Sequence, residues 1–209
     1  MSQSQHSMDH EAFASLLAKR HMVRSFSSEA LAPDLVANLI TGALSAPTAG
    51  NSRGVEALVL SGPATARYWE ISTDASWRAQ SRRFEGLARA PIIVLFTCKP
   101  SIYAERYAES DKAKSGLLNP EAWPVPYWFG DAAFATMALL LGASSADLGA
   151  SFLGSFRNEE AILQAFGETG GWRIFGSVLL GKADGKDHKS ESLNRSVPSA
   201  SEQITWIDR

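Results

Sequence analysis

The stretch Pro91-Ile92-Ile93-Val94-Leu95-Phe96-Thr97-Cys98 sets the reading of the fold. From Ile92 to Phe96 the side chains are all large and apolar, with no polar alternation. Such a run predicts a strand buried on both faces and central in its sheet. Cys98 is the only cysteine and reads as a buried, inert thiol, and its solitude excludes disulfides within the chain and Cys-based zinc sites.

Upstream of that strand, Val55 to Leu60 reads as a second strand, followed after Gly62-Pro63 by a polar, aromatic helical region through Leu87. Asp9 is placed to cap a first helix bearing Phe13, Leu16 and Leu17, closed by Lys19, Arg20 and His21. Pro33 suits the first turn of a second helix with the stripe Leu35, Val36, Leu39, Ile40 and Ala43, stopped by Pro47 and Gly50. Downstream, Ser110 to Pro126 is a loop long enough to suggest a functional excursion, and it carries Trp123. Ala132 to Ala146 is nearly uncharged and reads as a helix buried on all sides. Asp131 and Asp147 bracket it, and it is shorter than the ~20 residues a membrane span requires. Phe152 to Phe156 and Ile174 to Leu180 read as strands, with a helix from Glu159 to Phe166 led by Asn158 between them.

Alternating helices and strands predict an α/β or α+β sandwich. Without an internal repeat or a linker, the expectation is one domain over 9–209 after a flexible tail, 1–8. The polar C-terminal stretch ends in Ile204, Trp206 and Ile207, which suggest a last strand or an arm docking on an apolar surface.

Hydrophobic residues make up 45% of the 209 and charged residues 20%, which suits a globular chain with its own core. The net charge of -2 provides no overall basic field, so nucleic acid is not an expected partner. The polar start, Met1 to Asp9, lacks a secretory pattern, and the expected compartment is the cytoplasm. Gly176 to Lys182 has P-loop spacing, but Ala183 stands where the magnesium-binding hydroxyl is needed and the interior reads as a strand. Ser144 lies in a helical run rather than a nucleophile elbow. His6 and His10 have no third ligand at motif spacing, so no metal is expected, and no G-x-G-x-x-G motif supports a Rossmann domain.

Two segments point to chemistry. Arg20, His21 and Arg24 concentrate cations where a helix gives way to extended chain, which suits either a phosphate or a solvated helix end. Ala46-Pro47-Thr48-Ala49-Gly50-Asn51-Ser52 joins a helix to a strand with a rigid proline, a permissive glycine, a hydroxyl and an amide. It suits either an ordinary turn or a loop meeting the polar edge of a flat heterocycle.

In this order the two segments resemble the FMN-dependent nitroreductase family, with its R-[RH]-S-x-[RK]-x-F opening and A-P-S-x-x-N-x-Q-P-W loop. They stand here as Arg20-His21-Met22-Val23-Arg24-Ser25-Phe26 and Ala46 to Val55. The resemblance continues through the helix from Asp131 to Leu148, the segment Phe152-Leu153-Gly154-Ser155-Phe156, the strand Ile174 to Gly181, and Arg195. It implies an α+β sandwich with a mostly antiparallel sheet flanked by helices, forming a homodimer with an exchanged C-terminal arm.

By this likeness Arg20, His21, Met22, Arg24 and Arg195 surround the FMN phosphate and ribityl chain. Pro47, Thr48, Ala49 and Asn51 reach the flavin from the partner subunit, and Gly154 and Ser155 offer backbone N–H groups near the ring. Met22 stands where the family has Ser, removing a hydroxyl donor. Arg53-Gly54-Val55 stands where it has Gln-Pro-Trp, and Arg53 either points inward toward a reduced flavin or outward into solvent. The implied function is ping-pong transfer of hydride from NADH or NADPH through flavin N5 to a small nitroaromatic, quinone or related acceptor. Trp123 is expected in the wall that selects planar acceptors. The alternatives are a flavin-sequestering module without turnover, or specialised chemistry such as reductive dehalogenation or flavin destruction.

Overall fold

The computed structural model describes residues 9–155, 157–167, 169–187 and 194–207. The expected tail 1–8, with His6, and Phe156 lie outside them. The Asp9 carboxylate caps α1 (His10–Lys19) through the Glu11 N–H, and Pro33 opens α2 (Pro33–Leu44). Then come β1 (Val55–Ser61), α3 (Pro63–Ser72), α4 (Ala75–Gln80), α5 (Phe84–Ala88), β2 (Ile92–Cys98) and α6 (Pro100–Tyr107). The chain continues with α7 (Tyr127–Ser145), β3 (Gly149–Gly154), α8 (Glu159–Ala165) and β4 (Arg173–Gly181).

The strands form one antiparallel sheet in the order β1-β2-β4-β3. The expected central strand, β2, is buried along its whole length, because both neighbours pair with it and helices cover both faces. Its side chains alternate between two cores, as strand geometry dictates. Ile93 and Leu95 meet Leu60, Tyr68, Trp69, Leu87 and Ile162, whereas Val94 and Phe96 meet Val36, Ile40, Leu139 and Ala143. The molecule is therefore an α+β sandwich. The stretch with P-loop spacing is β4, and Ser144 sits inside α7.

One expectation changes. The apolar helix α7 is buried on one side only: Ala135, Leu139 and Ala143 face the sheet, while Phe134 and Met137 are 56% and 39% exposed. Its lack of charge reflects an outward apolar face as well as an inward one. Among the described residues no helix is long and apolar enough to cross a membrane.

The register brings the start of β1 (Val55), the end of β2 (Cys98), the start of β4 (Arg173) and the end of β3 (Gly154) to one end of the sheet. The loop before β1 and the turn after β3 thus share that end. They sit on opposite edges, three strand spacings or roughly 14 Å apart.

Candidate functional site

The basic segment leaves α1 in extended conformation at Arg20 and lies along the free edge of β3. Met22 forms a parallel bridge with Ala150, the Val23 N–H donates to the Ala150 carbonyl at 2.9 Å, and the Phe152 N–H meets Met22 Sδ at 3.3 Å. Met22 thus satisfies an edge donor of β3 with its thioether. His21 Nδ1 lies 3.1 Å from the Lys19 carbonyl, and Arg24 donates to the Met22 carbonyl at 3.3 Å. The Arg24 backbone N–H is engaged by Asp187 at 2.8 Å.

Below Arg24 the segment is clamped. Ser25 and Arg89 both donate to Asp184 Oδ2, at 2.9 and 2.8 Å. The Lys186 N–H, then Ser25 and Arg89, hold the Asp184 carboxyl below its usual range. Gly86 of α5 is required there, since a Cβ at that position would lie 2.6 Å from the Arg24 carbonyl oxygen. Among the described residues no carboxylate pairs with the side chains of Arg20, Arg24 or Arg195. Arg195 lies in an exposed bend with no hydrogen bond to the basic segment among those residues.

The end of β3 opens into a cavity of about 670 Å³ walled by Trp69, Trp77, Phe152, Gly154, Ser155 and Arg157. That volume is within the usual range of small-molecule and cofactor sites. Asp74 caps α4 through the Trp77 N–H at 2.6 Å and pairs with Arg157 at 3.0 Å. Leu87 also lines the cavity, and it follows the glycine that packs on Arg24. Arg20 and His21 line a separate, smaller pocket of about 150 Å³ with Leu148, Gly149 and Ala150 at the start of β3. Cations along a strand edge and an aromatic-walled cavity at the far end of that strand together suit a planar heterocycle carrying a phosphate.

The second predicted loop lies at the other edge. Its backbone is left-handed at Gly50, Asn51 and Arg53, with φ of 62°, 56° and 55°. Interior bonds hold this costly shape. The Arg53 N–H donates to Thr48 Oγ1 at 3.0 Å, its Nε to Asn51 Oδ1 at 2.9 Å, and its terminal nitrogen to the Leu44 carbonyl at 3.3 Å. Arg53 therefore folds back across its own loop. Arg106 donates to the Gly50 carbonyl at 2.9 Å while its guanidinium forks onto Asp111 at 2.7 and 2.8 Å.

The sequence reading missed the anchor of this loop. Asp131, 3% exposed, accepts the Ala49 N–H and the Tyr103 hydroxyl on one oxygen, each at 2.8 Å. Burial and this carboxylate push the Tyr103 phenol well above its ordinary range. A lone acid at the head of an uncharged helix is the signal that was available, because a buried charge needs partners. The cavity residues Trp69, Trp77 and Arg157 were also unmarked, since nothing in their spacing sets them apart.

Trp123 lies beneath this loop rather than on an open wall. It is 7% exposed, packs edge-on against Tyr103, Tyr107 and Trp128, and donates to the Leu117 carbonyl at 3.2 Å. A 3-10 turn at Pro120–Ala122, capped by Asn119, turns it inward. Tyr127, 48% exposed, is the open aromatic of that region.

A model of the family described as "Nitroreductase family" matches residues 17–182. The chain belongs to the nitroreductase family. The matched span includes the basic segment, the loop before β1, the long helix and the end of β3. Solved structures share the fold. Nitroreductase CinD from Lactococcus lactis, in complex with nicotinic acid, superposes with a TM-score of 0.68 at 17% identity, covering 90% of this chain and 99% of that one. A nitroreductase family protein from Streptococcus pneumoniae gives 0.68 at 18% identity over 94% and 100% of the two chains. A Clostridium acetobutylicum protein named as a candidate NADH oxidase gives 0.64 at 18% identity over 93% and 99%. None of the curated proteins compared with the chain matches it. Membership makes this nitroreductase-family chain an oxidoreductase of a class that typically uses a flavin.

Proposed function

We propose that the protein is a homodimeric FMN enzyme that takes hydride from NADH or NADPH and gives it to a small oxidised acceptor such as a quinone or nitroaromatic. The observation that carries this reading is the course of Arg20 to Arg24 along the free edge of β3, the strand whose far end opens into the cavity walled by Gly154 and Ser155. FMN held there would supply the chemistry, ping-pong hydride transfer through N5.

The protein supplies charge, shape and exclusion of water. Arg20, Arg24 and Arg195 neutralise the phosphate, with His21 beside them, while Gly154 and Ser155 border the ring with backbone N–H groups. Met22 contributes no hydroxyl there. From the partner come Pro47, Thr48 and Asn51; Ala49 contributes shape alone, because its N–H is spent on Asp131.

Support for a shared site comes from the sheet: the basic segment adds outside β3 and the loop leads into β1, so four strand spacings, roughly 19 Å, separate them in one chain. Exposed apolar side chains also await a partner: Phe13 and Leu17 on α1, Phe134 and Met137 on α7, and Ile204, Trp206 and Ile207 in the C-terminal arm.

The test is the absorption spectrum of purified protein before and after anaerobic NADH or NADPH. Bound yellow flavin should bleach, and a quinone or nitroaromatic should restore it. A colourless protein that takes up no added FMN refutes the proposal, and flavin that no nicotinamide bleaches points to sequestration. Arg20→Ala and Arg195→Ala should each weaken FMN binding about tenfold, the loss of one charge-assisted hydrogen bond. Unchanged affinity in both removes the phosphate assignment.

A further inference from the structure

We infer that Arg53 locks the loop Thr48 to Arg53 into a face of hydrogen-bond donors, and that this face poises the flavin of a partner copy by favouring its reduced, negatively charged form. The inference rests on the FMN site proposed above and adds a role for a residue that departs from the family pattern.

The donor character follows from five of the loop's acceptors being taken, three carbonyls and two side-chain oxygens. The Thr48 carbonyl accepts the Asn51 N–H at 2.8 Å, the Ala49 carbonyl accepts the Ser52 N–H at 3.1 Å, and the Gly50 carbonyl accepts Arg106 Nε at 2.9 Å. The side-chain oxygens of Thr48 and Asn51 are taken by Arg53 itself. An arginine can only donate, so Asn51 must turn its amide oxygen toward Arg53 Nε and leave its NH2 free. A hydroxyl that already accepts from a backbone N–H has its own proton left to give. The loop therefore offers the Thr48 hydroxyl proton, the Asn51 NH2 and a guanidinium charge held within one turn of chain.

Arg53 is a positioning residue in this scheme, acting through Asn51 and Thr48. Both Asn51 and Arg53 are exposed in the single chain, so their free donors meet whatever covers the loop. A ligand matched to that face presents acceptors and gains negative charge during turnover. Hydride uptake adds two electrons and one proton to a neutral oxidised flavin, so the reduced ring carries one negative charge, shared by N1 and the adjacent carbonyl oxygen. Donors beside that edge bind the reduced form more tightly than the oxidised one, which raises the midpoint potential. Desolvation at an interface enlarges the difference.

The experiment uses the FMN-loaded full chain and its Arg53→Gln, Arg53→Lys and Asn51→Asp variants. It measures the affinity of oxidised FMN by fluorescence quenching and the two-electron midpoint potential by dye equilibration. Arg53→Gln should weaken reduced FMN about tenfold more than oxidised FMN, a drop of about 30 mV. Asn51→Asp, which replaces the free NH2 by a carboxylate oxygen, should lower the potential at least as far. Arg53→Lys should recover most of the parent value, because a charge and a donor remain. Potentials within about 10 mV of the parent in both Arg53→Gln and Asn51→Asp, with FMN bound, overturn the inference alone. A parent chain that binds no FMN overturns the proposed function, and this inference with it.

Discussion

Replacing Asp131 by alanine tests the anchor of the loop before β1. One carboxylate oxygen holds the Ala49 N–H and the Tyr103 hydroxyl, and the side chain is almost wholly buried. Each bond to a charged acceptor is worth about 1.5 to 3 kcal/mol, and its loss strands a buried donor. The variant also escapes the cost of burying a carboxylate, which offsets part of that sum. A net loss of about 3 kcal/mol is the expected result, lowering Tm by roughly 6 to 12 °C in a domain of this size. Asp131→Asn retains the volume and one acceptor and should lose about 1 kcal/mol. Urea unfolding of parent, Asp131→Ala, Tyr103→Phe and the double variant closes the cycle. The coupling between the two sites should reach roughly 1 kcal/mol. If Asp131→Ala unfolds at the parent's urea midpoint, the carboxylate is no anchor and the stated bonds carry no net stability.

Met22→Ser should tighten FMN binding several-fold, because a hydroxyl can donate to the phosphate where the thioether meets only the Phe152 N–H; fluorescence titration that finds weaker binding assigns Met22 to the strand edge instead. Trp123→Ala should cost about 3 to 5 kcal/mol in chemical unfolding, since four aromatic neighbours enclose the indole; an unchanged midpoint would return Trp123 to an open acceptor wall. The Asp184 carboxyl has a folded-state pKa below its unfolded value of 3.8, so its stabilisation is complete above that value and is lost as pH falls through the folded one. Urea midpoints of the parent and Asp184→Asn should therefore differ at neutral pH and converge in acid below about pH 4, whereas a constant gap across that range refutes the linkage.

Periodicity and burial carried most of the fold. The run Ile92 to Cys98 needs two partners and two helical layers, and it has them. The same reasoning treated α7 as buried all round, because an apolar side chain facing a sheet and one facing outward look alike in sequence. Caps were legible only where a side chain has one sensible target. Asp9 caps α1, but Asn158 takes a left-handed conformation and donates to the Ile71 carbonyl instead. Trp123, between alanine and proline, has no periodic context, and the 3-10 turn before it decides its direction. The orientation of Arg53 was equally hidden, since it depends on the left-handed residues around it.

The order of the strands gives a reason for the divided site proposed above. The most apolar segments, β2 and β4, occupy the middle, where both edges are paired and both faces are covered. That leaves β1 and β3 on the outside, and the two chemically distinctive segments flank these edge strands. The basic segment adds to the edge of β3 through its bridge to Ala150, and the donor loop leads into β1. Bringing both onto one small ligand within a single chain would require bending the sheet through its best-packed strands. A second copy, as proposed, would achieve it with surfaces already exposed, the outward faces of α1 and α7. In the proposed dimer, cofactor binding and association are one equilibrium: each bound FMN would favour the dimer, and dilution should release both together.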